Sequence, residues 1–252
     1  MSGARETAQA LVLSVQSWSN SSQIVRLLTE AHGSISVIAR GSRRMTSDFR
    51  YGPLDVMQWG SACLEKQSDG FRLVGFEAVG SFARLAAHHE RLLAAFDVIE
   101  ILRDGTRAVS QPGLLRLALE TLAAFEHGEV TTLEAVLLRF ELQFLILSGR
   151  APHLDACVHC GREAPAPKPA RLDPLQGGLI CRTCLRGSAD RLVPLSPAAR
   201  AALHGLARSA DPREAAAMLA DARVRASLIP LLRMLVGLSL DHPLPVLALS
   251  RT

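Results

Sequence analysis

Four of the five cysteines stand as two Cys-x-x-Cys pairs, and this pairing is the pattern in the chain best suited to chemistry. Cys157 pairs with Cys160 and Cys181 with Cys184, and 20 residues separate the two pairs. Each pair can place two thiolates on one ion, and the two together complete the tetrahedron that zinc prefers. Because sulfur would fill all four positions, no site remains for a reactive water. The spacing therefore predicts a structural Zn²⁺ ion (zinc) and not a catalytic one.

The segment between the pairs is rich in proline, arginine and glycine and poor in large apolar residues, so an ion would have to hold it. His159 is a possible substitute ligand inside the first pair. Two other interpretations of the cysteines stay open: two disulfides in a secreted protein, or a redox pair. The first ten residues contain no apolar run of signal-peptide type, so we expect a cytoplasmic protein whose thiols stay reduced.

Length and composition are those of a globular protein with one large or two modest domains. The 252 residues are 48% hydrophobic and 21% charged, with a net charge of +4. The most apolar helical stretch, residues 133–147, contains Arg139 and Glu141 and is too short to span a bilayer. A mild positive charge permits nucleic-acid binding without establishing it.

The first 83 residues predict a small closed β-barrel. Apolar alternation with period two predicts five strands, over residues 10–16, 23–29, 34–40, 54–66 and 71–79. Gly60 predicts a bulge or kink in the fourth strand, and Asp69-Gly70 predicts the hairpin turn after it. Five short strands in so few residues are typical of a closed barrel.

From residue 84 onward the apolar period changes to that of helices. Helices are predicted over residues 83–104, 113–126, 130–148 and 223–240, the last with a kink at Pro230. Residues 130–134 predict a capping-type start, and Ser196-Pro197 and Asp211-Pro212 each predict a further helix start with a capping side chain before proline. The fold class is therefore α+β: a barrel domain, residues 1–83, and a helical domain, residues 84–252. The cysteine pairs lie in an inserted zinc-binding segment, residues 150–190.

The most concentrated positive charge lies in the loop after the third predicted strand. Residues 40–50 contain Arg40, Arg43, Arg44 and Arg50 against Asp48. Gly41 and the hydroxyls of Ser42, Thr46 and Ser47 suit a phosphate contact, and the aromatic residues Phe49 and Tyr51 could stack on bases, with Trp59 as a third aromatic candidate near them. This mixture predicts a single-strand binding surface, and the alternative is a solvated basic loop with no partner. Residues 149–191 repeat the positive balance, with seven basic and four acidic side chains.

Sequence motifs for catalysis are missing. The chain contains no phosphate-binding glycine loop with a lysine, no Gly-x-Ser-x-Gly elbow and no His-Glu-x-x-His pair. His88 and His89 are adjacent on a predicted helix, so their imidazoles face different directions. We therefore predict a binding protein and not an enzyme.

These residues together resemble the bacterial RecO family of recombination mediators in the RecF pathway of DNA repair. The resemblance rests on three stretches in the family's order: Ala39-Arg-Gly-Ser-Arg-Arg44 in the barrel, Leu172-Asp-Pro-Leu-Gln-Gly-Gly-Leu-Ile-Cys181 before the second cysteine pair, and the last helix with the closing Leu249-Ser-Arg251. The chain departs from the family at Leu249, where lysine is common. Some members lack the cysteines, which makes zinc a stabiliser of the fold.

The resemblance implies an N-terminal OB-fold, a helical C-terminal domain and a zinc-binding insertion. It implies binding of single- and double-stranded DNA, annealing of strands coated by single-strand binding protein, and loading of RecA together with RecR. It also implies a nucleoid-associated location and a pocket in the helical domain for the acidic tail of single-strand binding protein. Candidate DNA contacts are Arg40, Arg43, Arg44 and Arg50, with Arg26 and Arg72 on the barrel strands, and candidates for the tail pocket are Arg116 and Arg139.

Two alternatives from other classes stay open. One is a zinc-containing protein-interaction scaffold whose basic loop is incidental. The other is an RNA-binding OB protein, which contacts with a 2′-hydroxyl would distinguish.

Overall fold

The computed structural model describes residues 4–43, 52–106, 110–164, 168–185, 192–240, 242 and 244. The chain divides into two compact units, Met1–Glu126 and His127–Thr252. The domain boundary after residue 83 stays a prediction.

The first unit contains a closed barrel of five strands. They are β1 (Arg5–Ser17), β2 (Gln23–Thr29), β3 (Gly33–Ala39), β4 (Gln58–Gln67) and β5 (Gly70–Ser81), and the order around the barrel is β1-β2-β3-β5-β4. Every pairing is antiparallel except the parallel contact of β3 with β5, where Ala39 lies opposite Leu73. Closure gives every strand a neighbour on both sides, although β3 meets β5 at one residue pair only. The predicted fold class is confirmed.

Alternate side chains of the strands fill the barrel. Val25 and Leu27 of β2 point inward together with Val12, Leu64 and Phe76 from the other strands, and all of them are buried. Each such burial stabilises the fold by roughly 1.5–3 kcal/mol before the cost of ordering the chain. The period-two pattern of the sequence thus corresponds to a single apolar core.

The strand β4 bulges at the predicted glycine but begins later than predicted. A Cβ on Gly60 would lie 2.0 Å from the carbonyl oxygen of Glu77, and the register with β5 shifts at this point. The strand starts at Gln58 and not at residue 54, because Met57 adopts a φ of 66° and its N–H bonds to the carbonyl of Val12 at 3.0 Å. Leu54 and Met57 are buried although they lie in a loop, so the strand predicted for these two residues is wrong.

The helices follow the predicted order with shifted ends. A 3₁₀ turn (Ala83–Ala87) precedes α1 (His89–Gly105) and α2 (Leu114–His127), and a second 3₁₀ turn (Val130–Thr132) precedes α3 (Leu133–Leu147). The remaining helices are α4 (Pro197–Arg208), α5 (Pro212–Met218) and α6 (Ala222–Leu240), which contains Pro230. Among the described residues, no helix combines the length and apolarity that a membrane span requires.

Proline and a capping side chain start two of these helices as the sequence predicts. Ser196 accepts a hydrogen bond from the N–H of Ala199 at the start of α4, and Asp211 accepts one from Arg213 at the start of α5. The start predicted for α3 is different, because Thr132 forms no side-chain cap and donates instead to the carbonyl of Glu129 at 2.8 Å.

In the second unit α3 is buried on nearly all sides, as its apolar sequence predicts, and it packs against α4, α5 and α6. Its charged Glu141 is buried and pairs with Arg233 of α6 at 3.0 Å. Such a partner offsets the cost of burying the charge of a carboxylate.

The second unit also carries a four-stranded sheet that the sequence did not predict. Its strands are β6 (His153–Cys157), β7 (Ala170–Asp173), β8 (Gly178–Leu179) and β9 (Val193–Leu195), in the order β6-β8-β7-β9. Strands of two to five residues are too short to show a period in sequence. This sheet positions the cysteine pairs.

Candidate metal centre and nucleic-acid interface

The two cysteine pairs converge on one point. The sulfur atoms of Cys157, Cys160, Cys181 and Cys184 all lie within 4.8 Å of one another, and the Cys160 and Cys181 sulfurs are 3.7 Å apart. A tetrahedral ion with metal–sulfur bonds of about 2.3 Å would place its ligands about 3.8 Å apart. Cys157 is buried at the end of β6, whereas Cys160 is exposed. The four cysteines can therefore bind a metal ion, with one edge of the site open to solvent.

Backbone hydrogen bonds favour the thiolate form of Cys157, which is the form that binds a cation. Burial alone raises the pKa of the Cys157 thiol, but hydrogen bonds from the N–H groups of Cys181, Cys160 and His159 outweigh it and lower that pKa to about 6. The donor–acceptor distance from the Cys181 nitrogen is 3.4 Å. Two turns keep these donors in place. The N–H of Gly161 donates to the carbonyl of Cys157 at 2.9 Å, and the N–H of Cys184 donates to the carbonyl of Cys181 at 3.1 Å.

The pKa of the fourth cysteine, Cys184, is shifted in the opposite direction. Hydrogen bonding of the Cys184 thiol to the sulfurs of Cys160 and Cys181, together with burial, raises its pKa to about 12. Without a cation the cluster thus retains a proton, since four thiolates at this distance would repel one another. A bound divalent ion would displace that proton and neutralise half of the four charges.

Two residues outside the cysteine pairs fix the shape of this segment. A Cβ on Gly178 would lie 2.4 Å from Val158, so only glycine permits the contact between β8 and the first turn. The buried Arg200 of α4 donates to the carbonyl of Leu154 at 3.0 Å and to the carbonyl of Ala164. The glycine was visible in the sequence, whereas nothing in the sequence distinguished Arg200 from the other 25 arginines.

The predicted basic loop leaves the barrel next to the turn between β1 and β2. Arg40 and Arg43 are exposed at the start of this loop, while Arg44 and Arg50, with Thr46, Ser47, Phe49 and Tyr51, lie outside the described residues. The backbone N–H of Arg43 donates to the carbonyl of Ser21 at 3.1 Å, and its guanidinium donates to the Ser17 hydroxyl at 3.0 Å. The first part of the loop and the β1–β2 turn therefore form one surface.

The buried Gln23 at the start of β2 holds both ends of the basic loop. Its side-chain oxygen accepts hydrogen bonds from the Ser42 hydroxyl at 2.9 Å and from the Leu54 N–H at 3.0 Å, and its amide nitrogen donates to the Leu54 carbonyl at 3.0 Å. Ser42 is fully buried, so the expectation that its hydroxyl meets a phosphate is wrong. No local pattern marks Gln23 as important, because a single glutamine in a strand is unremarkable.

The other predicted contacts have partners within the barrel. Arg26 donates to the Ser34 hydroxyl at 2.9 Å and to the Thr106 carbonyl at 3.5 Å, and Arg72 pairs with the buried Glu65. Trp59, the third aromatic candidate, is half-buried on β4. A DNA-binding role for Arg26 and Arg72 stays a prediction.

The two candidates for a tail pocket differ in accessibility. Arg116 is exposed on α2, 3.9 Å from Glu120 one turn later. Arg139 is only 3% exposed on α3, and it donates to the carbonyls of Ser209 and Ala210 at 3.1 and 2.9 Å, just beyond α4. The role predicted for them in binding a partner stays a prediction.

A closed five-stranded barrel, a helical unit and an inserted four-cysteine cluster define an OB-fold protein with a metal-binding insertion. The family models described as recombination protein O N terminal and C terminal match residues 1–82 and 89–248. The chain therefore belongs to the RecO family of DNA repair and recombination proteins.

Curated relatives agree over most of the length. The DNA repair protein RecO of Myxococcus xanthus is 32% identical over 192 residues, which cover 74% of this chain and 76% of the relative. The protein of that name from Rubrobacter xylanophilus is 31% identical, with 79% of each chain covered. That from Anaeromyxobacter dehalogenans is 33% identical, with 79% of this chain and 78% of the relative covered.

Proposed function

We propose that this protein is a mediator of homologous recombination and DNA repair in the RecF pathway. It binds single- and double-stranded DNA, anneals strands that are coated by single-strand binding protein, and helps RecR to load RecA. The observation that carries the proposal is the exposed pair Arg40 and Arg43, held by hydrogen bonds at one end of an OB-type barrel in a chain of the RecO family.

The proposed mechanism is electrostatic. Arg40, Arg43, Arg44 and Arg50 neutralise phosphates, which allows two strands to approach each other. Their planar guanidinium groups can bond two phosphate oxygens at once. Each contact should steepen the salt dependence of single-strand binding by about 0.7 log units per log unit of salt.

We propose that the metal of the cysteine cluster is zinc and that its role is structural. Four sulfur donors favour zinc over harder cations such as magnesium, and they leave no position for a reactive water. The ion would fix β6 to β8 and the two turns that carry the cysteine pairs.

The proposed protein partners are RecR and the acidic tail of single-strand binding protein, and the proposed location is the nucleoid. Of the two tail-pocket candidates, Arg116 is the one whose exposed guanidinium can reach a carboxylate of a partner, since Arg139 is buried and bonded to two carbonyls.

Annealing of complementary oligonucleotides coated with the cognate single-strand binding protein tests the proposal. We expect the protein to accelerate annealing and the double variant Arg43→Glu, Arg44→Glu to lose this activity and to bind single strands with a flatter salt dependence. Arg223→Glu is the matched control, because Arg223 is an exposed arginine of α6 and the charge change per site is the same. Unchanged annealing and an unchanged salt slope in the double variant would refute the assignment of the loop.

A further inference from the structure

Trp18 is the feature of the barrel that the proposed function leaves unexplained. Its side chain is 63% exposed in the turn between β1 and β2. Among the described residues of the five strands and their turns, no other aromatic side chain is exposed to a comparable extent. An indole presents a large rigid apolar face and is usually covered by the fold or by a partner.

The turn that carries Trp18 is closed by its own hydrogen bonds. The N–H groups of Trp18 and Ser19 both donate to the carbonyl of Ser22, at 3.0 and 3.3 Å, and the N–H of Ser21 donates to the Ser19 hydroxyl at 3.3 Å. The exposed indole is therefore mounted on a fixed backbone, which lowers the entropy cost of binding to it.

The same turn is bonded to the start of the basic loop. Arg43 is hydrogen-bonded to residues on both sides of Trp18 in the chain, to Ser17 before it and to Ser21 after it. The N–H of Gly41 donates to the Ser22 hydroxyl at 3.2 Å. Arg40 directly follows Ala39, which pairs with Gln23 at the start of β2. One aromatic face and two exposed guanidinium groups thus belong to one surface.

The charge of the chain segments that carry the indole and the two arginines favours nucleic acid over an acidic or mixed protein surface as the partner. No acidic residue occurs in residues 7–29 or 31–47, which include the turn, β2, β3 and the start of the basic loop. A cationic surface with an aromatic platform is the combination by which proteins bind single strands: phosphates meet the cations and a base stacks on the ring.

We infer that Trp18 is a stacking site for an unpaired base of single-stranded DNA whose phosphates meet Arg40 and Arg43. The inference rests on the proposed function and adds a preference to it. Bases in a duplex are already stacked on their neighbours and cannot cover the indole, whereas the two arginines serve either form. Trp18 therefore favours single strands, and the arginines contribute to both.

The protein contains only two tryptophans, which makes the contact measurable by fluorescence. In the variant Trp59→Phe the remaining emission comes from Trp18. We expect oligothymidylate to quench this emission along the same binding curve that the anisotropy of a labelled oligonucleotide reports. A duplex of the same length should bind without comparable quenching.

Substitution of Trp18 in the otherwise unchanged protein completes the test. We expect Trp18→Ala to weaken single-strand binding by about fivefold to a hundredfold and to leave duplex binding within about twofold, while Trp18→Phe restores most of the loss. Retained duplex binding also shows that the variant is folded. Arg43→Ala, in contrast, should weaken the binding of both forms.

The outcomes separate this inference from the proposed function. Single-strand binding with unchanged Trp18 emission, or equal losses for single strands and duplex in Trp18→Ala, would overturn the stacking site and leave the proposed function standing. Failure of the unsubstituted protein to bind either form of DNA would overturn both.

Discussion

The barrel and the cysteine segment have to keep loops in place, and they do so by different means. The barrel, residues 5–81, buries a continuous apolar core of twelve residues from all five strands and from Leu54. The strands of the cysteine segment, β6 to β9, contribute only a few buried leucines, among them Leu154, Leu172 and Leu179. The four converging sulfur atoms of this segment can bind a metal ion, which would take the place of the missing core. We expect the barrel to fold on its own side chains, whereas the segment would depend on the ion that we propose for its four cysteines.

The two regions also share one structural feature, a buried polar side chain that bonds to two distant residues. In each, a single buried polar side chain bonds to residues that are distant in the chain: Gln23 bonds to Ser42 and Leu54 in the barrel, and Arg200 bonds to Leu154 and Ala164 in the cysteine segment. Hydrogen bonds from one well-ordered side chain to loop backbone cost little entropy, because the side chain is already fixed by burial.

The largest effect that distinguishes the regions should follow removal of the metal. An ion at a free concentration a thousand times its Kd stabilises the folded state by about 4 kcal/mol, and a chelator removes that contribution. We expect amide hydrogen exchange to accelerate strongly in β6 to β9 and to remain slow in β1 to β5. Elemental analysis should find one zinc per chain, and Cys157→Ser should reproduce the effect of the chelator.

The control for metal removal is Cys63→Ser, because Cys63 is a half-buried thiol of the barrel outside the cluster. It should leave the zinc content unchanged. Equal acceleration of exchange in both regions, or a chelator with no effect on either, would remove the contrast between them.

A core truncation in the barrel should give the converse pattern with a somewhat smaller effect. Leu64 is fully buried on β4, so we expect Leu64→Ala to lower the free energy of unfolding by about 3 kcal/mol. Exchange should accelerate in β1 to β5 while the zinc content stays at one per chain. Loss of zinc from this variant would show that the cysteine segment relies on the barrel and not on its own ion.

The predictable parts of both regions are those that leave a repeated pattern or a unique residue type in the sequence. The spacing of the cysteines predicted the converging sulfurs, and the alternation around Val25 and Leu27 predicted the barrel strand. The bulge at Gly60 was predictable because only glycine tolerates a carbonyl oxygen so close to the backbone. In each case the physical requirement leaves a recurring or unique residue type in the sequence.

The unpredicted parts depend on contacts between residues distant in the chain. Arg200 bonds to a carbonyl 46 residues earlier, and Gln23 bonds to a residue 31 positions later. Such contacts leave no local pattern in the sequence, and the strands β8 and β9 are too short to show an apolar period. At Leu54 and Met57 the prediction of a strand is wrong for a different reason: a loop that enters a core produces the same apolar spacing as a strand.

Replacing Arg200 should weaken the cysteine segment without removing its ion. We expect Arg200→Met to lower the free energy of unfolding by about 2 kcal/mol, because the carbonyls of Leu154 and Ala164 lose a charged donor. Zinc should still bind, but it should exchange with a chelator faster than from the unsubstituted protein. Arg208→Met is the matched control, since Arg208 is exposed at the end of the same helix. Equal chelation rates in the two variants would contradict the role of Arg200.

Replacing Gln23 should have the smallest effect on stability and a larger effect on DNA binding. Gln23→Met preserves the size of the side chain but removes three hydrogen bonds, and we expect a loss of about 1–2 kcal/mol. The loss stays small because a released loop can satisfy Ser42 and Leu54 with water. The same release would detach Arg43 from the β1–β2 turn, so single-strand affinity should fall although no basic residue has changed. Gln16→Met, at an exposed position of β1, is the control. Equal single-strand affinities in the two variants would show that the arginines bind without being positioned by the barrel.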